Sequence, residues 1–212
     1  MSDTKSKWHS VALVSGILFI AINLRVPFTS IAPVLTLIQD NFQLSITSVG
    51  WRNSLPLFAF AVFSPLSATI ARRFGLERTL FGALMVISVG ILLRSAGSMW
   101  ALYVGTILIG TGIALGNVLL PGLIKRDFAG NVASMTGAYS ITMGAAGAVG
   151  SAIIIPLAQH FGWNIALALL VAAPALALII WFPQLSNHQK LRLSGQNQTT
   201  NVSVWSSPLA WQ

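Results

Sequence analysis

Charge is scarce in this sequence. Asp, Glu, Lys and Arg together make 8% of its 212 residues, against about 25% in ordinary soluble domains. A surface facing water on all sides cannot be built from that supply, which excludes a soluble globular domain. Cysteine is absent, so disulfides and thiolate metal sites are excluded and the redox compartment stays open. Also lacking are a histidine inside an apolar segment to hold zinc, a nucleophile elbow and a phosphate-binding loop. Nothing in the sequence points to an enzyme, a cofactor or a metal.

What is there is apolar. Hydrophobic residues make 55% of the chain and the mean hydropathy is +0.77. Six apolar segments stand near residues 10–38, 47–70, 79–96, 99–123, 133–158 and 163–183. Each is long enough to cross a hydrocarbon core of about 30 Å, which takes roughly 20 residues of helix. Lipid offers no partners to backbone N–H and C=O groups, and a helix satisfies them within one segment. Barrel strands need segments of about ten residues alternating polar and apolar, and these are not seen. The expected fold is therefore an all-α integral membrane bundle of six transmembrane helices. Lys5 and Lys7 ahead of Val11–Leu24 resemble a signal peptide, but the apolar run continues past Pro27 to Ile38 without a small-residue cleavage site. It reads as a retained first helix.

The net charge of +8 raises the question of a nucleic-acid partner. The placement of the basic residues argues against one. Nine of the twelve fall in or beside alternate connections: Lys5 and Lys7, then Arg72, Arg73 and Arg78, then Lys125 and Arg126, then Lys190 and Arg192. By the positive-inside rule both termini are cytoplasmic. Residues 184–208, rich in Asn, Gln, Ser and Thr, read as a cytoplasmic linker. Apolar character returns around Val204 and Trp205, and 209–212 read as the start of a seventh helix.

A faint repeat links the two triplets of helices. Asn23-Leu24-Arg25-Val26-Pro27 is echoed by Asn117-Val118-Leu119-Leu120-Pro121, and Pro65-Leu66 with Phe74-Gly75 by Pro156-Leu157 with Phe161-Gly162. Helices one to three and four to six cross in opposite senses, which matches a three-plus-three inverted repeat.

Arg25 is the most informative residue. It lies about 22 Å along its helix at about 1.5 Å per residue, near mid-membrane, where a charge is costly and faces a cavity or the protein interior. The bland alternative is an ion pair. All four acids, Asp3, Asp40, Glu77 and Asp127, fall in loops or at membrane edges, so no carboxylate is offered at its depth. A guanidinium suits a carboxylate, an inorganic anion or a nitro group. Thr29 shares its face; Asn23 points away and reads as an interhelical hydrogen-bond donor. Asn117 and Tyr139 are candidates for the same cavity, each equally placed for helix packing, as is Thr142. Arg52 and Arg94, near the outer ends of their helices, read as snorkelling to headgroups. Glycines Gly105, Gly110, Gly112 and Gly116, then Gly137, Gly144, Gly147 and Gly150, read as close-packing positions.

These runs carry a resemblance. Asn23-Leu24-Arg25 with Thr29-Ser30, the stretch Ala71-Arg72-Arg73-Phe74-Gly75-Leu76-Glu77-Arg78, the run from Gly112 to Phe128 and Thr136–Ser140 resemble the cyanate and 2-nitroimidazole transporter family of the major facilitator superfamily, the nitroimidazole branch more closely. The resemblance implies the amino-terminal half of a twelve-helix secondary transporter that moves a small anionic or nitro-bearing solute by alternating access. It implies a missing carboxy-terminal six-helix half, or a second copy, as partner. The superfamily commonly has an acidic residue where this chain has Arg72, and the family pattern is apolar at Trp51 and Arg52. The competing expectation is a six-helix structural or assembly partner, or a non-functional truncated fragment.

Overall fold

The computed structural model describes residues 2–34 and 61–186, with side chains from Ala12 onward in the first stretch. The first part of the expected second segment, Asp40, Trp51, Arg52, Lys190, Arg192 and the tail to Gln212 lie outside the described residues. Helix α1 runs Ser2–Thr29, with a 3-10 turn at Ala32–Val34. Helix α2 covers 61–74, α3 Leu76–Arg94, α4 Met99–Asp127 and α5 Val132–Phe161. Then come α6, Trp163–Leu169, α7, Ala172–Trp181, and a 3-10 turn at Phe182–Ser186. No strand occurs among the described residues. Among the described residues, five stretches are long and apolar enough to cross a membrane: Ala12–Val34, Leu76–Arg94, Met99–Asp127, Val132–Phe161 and Trp163–Leu185.

The breaks between helices have local causes. Gly75 alone separates α2 from α3, with φ of 89°, a left-handed value that disfavours side chains. Its N–H donates to Ala71 O at 2.9 Å while its carbonyl accepts from the Thr79 N–H at 3.1 Å, so one residue closes one helix and opens the next. Gly162, φ 82°, does the same between α5 and α6. Ser98 caps α4, its hydroxyl oxygen accepting from the Ala101 N–H at 3.2 Å, as N-cap serines do.

The expected single sixth helix is divided at Leu170–Val171. Pro174 in α7 has no N–H to offer the carbonyl of Leu170, and its ring crowds that carbonyl. The chain tightens instead: Leu170 N–H donates to Leu167 O at 3.2 Å, and Leu170 O accepts from Ala173 N–H at 3.3 Å. Pro121 and Pro156 lie inside α4 and α5 without ending them.

Close approaches give the direction of each helix. A Cβ built on Gly90 would meet Gly105 O and Ile109, and one on Gly112 would meet Ala83 O and Ile87, so α3 and α4 are antiparallel. Gly16 lies under the Trp181 ring and Asn23 Nδ2 donates to Ala173 O at 3.2 Å, making α1 and α7 antiparallel. Gly147 meets Arg25, and Gly150 meets Val26 and Ser30; α1 and α5 are therefore parallel. Helices α3 and α4 therefore run oppositely, as do α1 and α7, while α1 and α5 run alike.

The main core joins Ile17, Ile20 and Leu24 of α1 to Leu80, Leu84 and Ile87 of α3, Leu120 and Leu123 of α4, and Trp181. A smaller cluster, Val34, Leu102, Ile154, Trp163 and Leu167, fills the other end. Helix α4 is the most enclosed span and α5 the least.

Candidate functional site

Helix α1 carries an open stripe beside its buried face. Ile17, Ile20, Ala21 and Leu24 are buried, whereas Arg25 and Phe28 are exposed and Ile22 and Thr29 half-buried. Arg25 therefore keeps its head outside the packed core of this bundle. Its stem is seated on Gly147, where an added Cβ would lie 2.8 Å from Arg25 Cγ. Gly147 is at the middle of α5, so the guanidinium leaves the seam at about mid-span. Thr29 closes the same seam one turn on, its hydroxyl 3.3 Å from Gly147 O and 3.2 Å from Arg25 O.

Asn117 is half-buried on α4, directly after Gly116, which lies against Leu24 of α1. That contact brings it to the level of Arg25, on the other flank of α1. Tyr139 lies on the stripe of α5 that packs on the core with Met135 and Met143, two turns to the basic-loop side of Gly147. The structure thus brings Arg25 and Thr29 together, places Asn117 at their height, and sets Tyr139 about 12 Å along α5 at 1.5 Å per residue. Thr142 donates to Ala138 O of its own helix at 2.9 Å. Asn23 bonds Phe19 O and Ala173 O, an interhelical tie.

Arg94 corrects the expectation of a snorkelling side chain. Its residue is 1% exposed, and Nη1 donates to Pro27 O of α1 at 2.9 Å. Its Nε and Nη2 have no hydrogen-bond partner among the described residues. Ending α3 put it at the right depth, but its side chain turns between helices rather than toward headgroups.

The opposite end holds the ion pairs. Glu77, 3% exposed in the first turn of α3, accepts from Arg126 Nη2 at 2.5 Å, and Arg126 Nε donates to Asp127 Oδ1 at 2.7 Å. The Trp181 indole N–H donates to Glu77 O at 3.1 Å. Glu77, an edge residue in the sequence, is thus a buried knot tying α3, α4 and α7.

The Major Facilitator Superfamily model matches residues 10–211. The chain belongs to this superfamily. It is 52% identical over 212 residues to the 2-nitroimidazole transporter of Escherichia coli K12, covering all of this chain and 54% of that one. It is 41% identical over 207 residues to the uncharacterized transporter YycB of Bacillus subtilis 168, 97% of this chain and 51% of that. To the cyanate transport protein CynX of E. coli K12 it is 26% identical over 197 residues, 92% and 51%. The chain spans about half the length of the curated relatives it matches. As a superfamily member with five apolar spans among its described residues, it is a multi-pass membrane protein, and its relatives are named transporters rather than enzymes.

Within this superfamily half, sequence reasoning named Arg25 and Thr29 but not what seats them. Gly147 and Gly150 stood out only as small residues. Ser151, whose Oγ donates to Thr29 O at 3.3 Å, carried no signal. No described residue stands within 4 Å of a Cβ added to Gly137 or Gly144.

Proposed function

We propose that this chain is the solute-contacting amino-terminal half of a secondary transporter for a small anionic or nitro-bearing solute, with Arg25 as the principal contact. The observation that carries this reading is an exposed guanidinium at mid-span, on the open stripe of α1. The acids described in this half, Glu77 and Asp127, are both engaged by Arg126 at the far end. A permanent charge there is stabilised by a partner that arrives, and paired donors fit the two oxygens of a carboxylate or nitro group, or one terminal atom of a cyanate anion. The relatives named for 2-nitroimidazole and cyanate transport have solutes of this kind.

Thr29 offers a hydroxyl beside Arg25, and Asn117 and Tyr139 line the flanks of the path. The second wall is a carboxy-terminal six-helix half or a second copy. Residues 184–208 serve as the cytoplasmic linker and 209–212 enter the seventh helix. The basic end, with Arg72, Arg73, Arg78, Lys125 and Arg126, faces the cytoplasm from the inner membrane. Alternating access then exposes Arg25 to one side at a time.

Uptake of labelled 2-nitroimidazole and cyanate into proteoliposomes holding the full-length protein tests this. Arg25→Ala is expected to lower uptake by about tenfold or more, the loss of one charged hydrogen-bonding contact. Unchanged uptake would remove Arg25 from the site. The 212-residue chain alone is expected to be inactive.

A further inference from the structure

The last turn of a helix leaves its carbonyls without N–H partners. In α1 that turn follows directly on Arg25 and ends at Thr29, the two proposed solute contacts, and the chain leaves it through Ser30 and Ile31 for a 3-10 turn. Val26 O accepts from the Ser30 N–H at 3.0 Å. Two further carbonyls are taken by side chains of other helices: Pro27 O by Arg94 Nη1 at 2.9 Å and Thr29 O by Ser151 Oγ at 3.3 Å. A cation at a helix C-terminus also meets the negative end of the helix dipole.

We propose that Arg94 and Ser151 are positioning residues that hold the last turn of α1 from two sides and thereby fix Arg25 and Thr29 in the solute path; this rests on the reading of Arg25 as a solute contact.

The burial of Arg94 supports a dedicated role. An enclosed guanidinium with Nε and Nη2 unpartnered among the described residues is costly, and a snorkelling arginine would have avoided that cost by extending outward. Its Nη1 bonds the carbonyl of Pro27, the residue midway between Arg25 and Thr29. Two residues along a helix is a rotation of about 200°. Arg94 therefore grips the back of α1 where Arg25 and Thr29 occupy the front, and Ser151, one turn beyond Gly147, holds the side facing α5. A contact held in place before the solute arrives loses less freedom on binding, which favours affinity.

The test uses the full-length transporter in lipid nanodiscs and proteoliposomes, with Arg94→Met, Arg94→Lys and Ser151→Ala. Hydrogen exchange of the amides of residues 28–34 is read without solute, and KM and Vmax are read with 2-nitroimidazole. Arg94→Met is expected to speed exchange and raise KM by about tenfold each with Vmax within about twofold, and Ser151→Ala to do so by about threefold. Arg94→Lys, which keeps a donor for Pro27 O, is expected to fall between wild type and Arg94→Met. Unchanged exchange in both Arg94→Met and Ser151→Ala overturns the proposal, as does faster exchange with KM unmoved while Arg25→Ala raises KM. If Arg94→Met does not reach the membrane, Arg94→Lys and Ser151→Ala decide by the same readouts. If Arg25→Ala leaves uptake intact, the solute-site reading falls by itself, and exchange alone still decides whether the turn is held.

Discussion

Two helix seams in this bundle use glycine for different ends. Between α3 and α4 the approach is backbone to backbone: a Cβ on Gly105 would lie 2.5 Å from Arg94 N and 2.6 Å from Gly90 O. Between α1 and α5 the glycines receive side chains, with Gly147 under the stem of Arg25 and Gly150 facing Val26 and Ser30. That second seam is also threaded by Thr29 and Ser151. Backbone cannot retreat from an added methyl, whereas a flexible stem can. The first seam is built as a fixed joint and the second as a seat for working groups.

Substitution by alanine separates the two. Gly105→Ala is expected to have the largest effect, lowering the stability of the chain in micelles by about 3 kcal/mol as α3 and α4 are forced apart, read by denaturant or thermal unfolding. A loss below about 1 kcal/mol would mean the seam gives more easily than its backbone contacts imply. Gly147→Ala is expected to cost less than about 1 kcal/mol in the same assay, since Arg25 Cγ moves. It should nevertheless raise the KM for 2-nitroimidazole in the full-length protein by about fivefold, because the guanidinium is displaced. Equal effects of the two substitutions on stability would erase the distinction. The smallest effect belongs to Thr29→Val, which removes a seam hydroxyl of nearly constant volume and is expected to cost about 0.6 kcal/mol, typical of polar ties between membrane helices.

How much of this was legible in the sequence follows from what hydropathy measures. Apolar length reports depth, so the five described spans and the mid-helix level at which Arg25 meets Gly147 could be read directly. Charge alternation placed Arg72, Arg73, Arg78, Lys125 and Arg126 at one end, and helix directions in the structure agree. Depth does not report facing. Arg94 stood at the correct height, yet its burial depends on Pro27 O, 67 residues away in sequence. Glu77 was likewise an edge residue until α4 brought Arg126 to it. The division of the sixth segment is by contrast a local feature written in the sequence, since Pro174 falls inside it with no N–H for Leu170. Gly147 was visible only as a small residue, because seating Arg25 is a property of two helices rather than one.

The single-residue link at Gly75 has a mechanical consequence. Helix α3 is anchored just past it, where Glu77 grips Arg126 and receives the Trp181 indole. Helix α2 joins that anchored post through the two torsions of one residue, while Ala71 seats it in the core. Arg72 and Arg73 ride at the joint, and no loop intervenes there, so any turn of one helix is handed directly to the other.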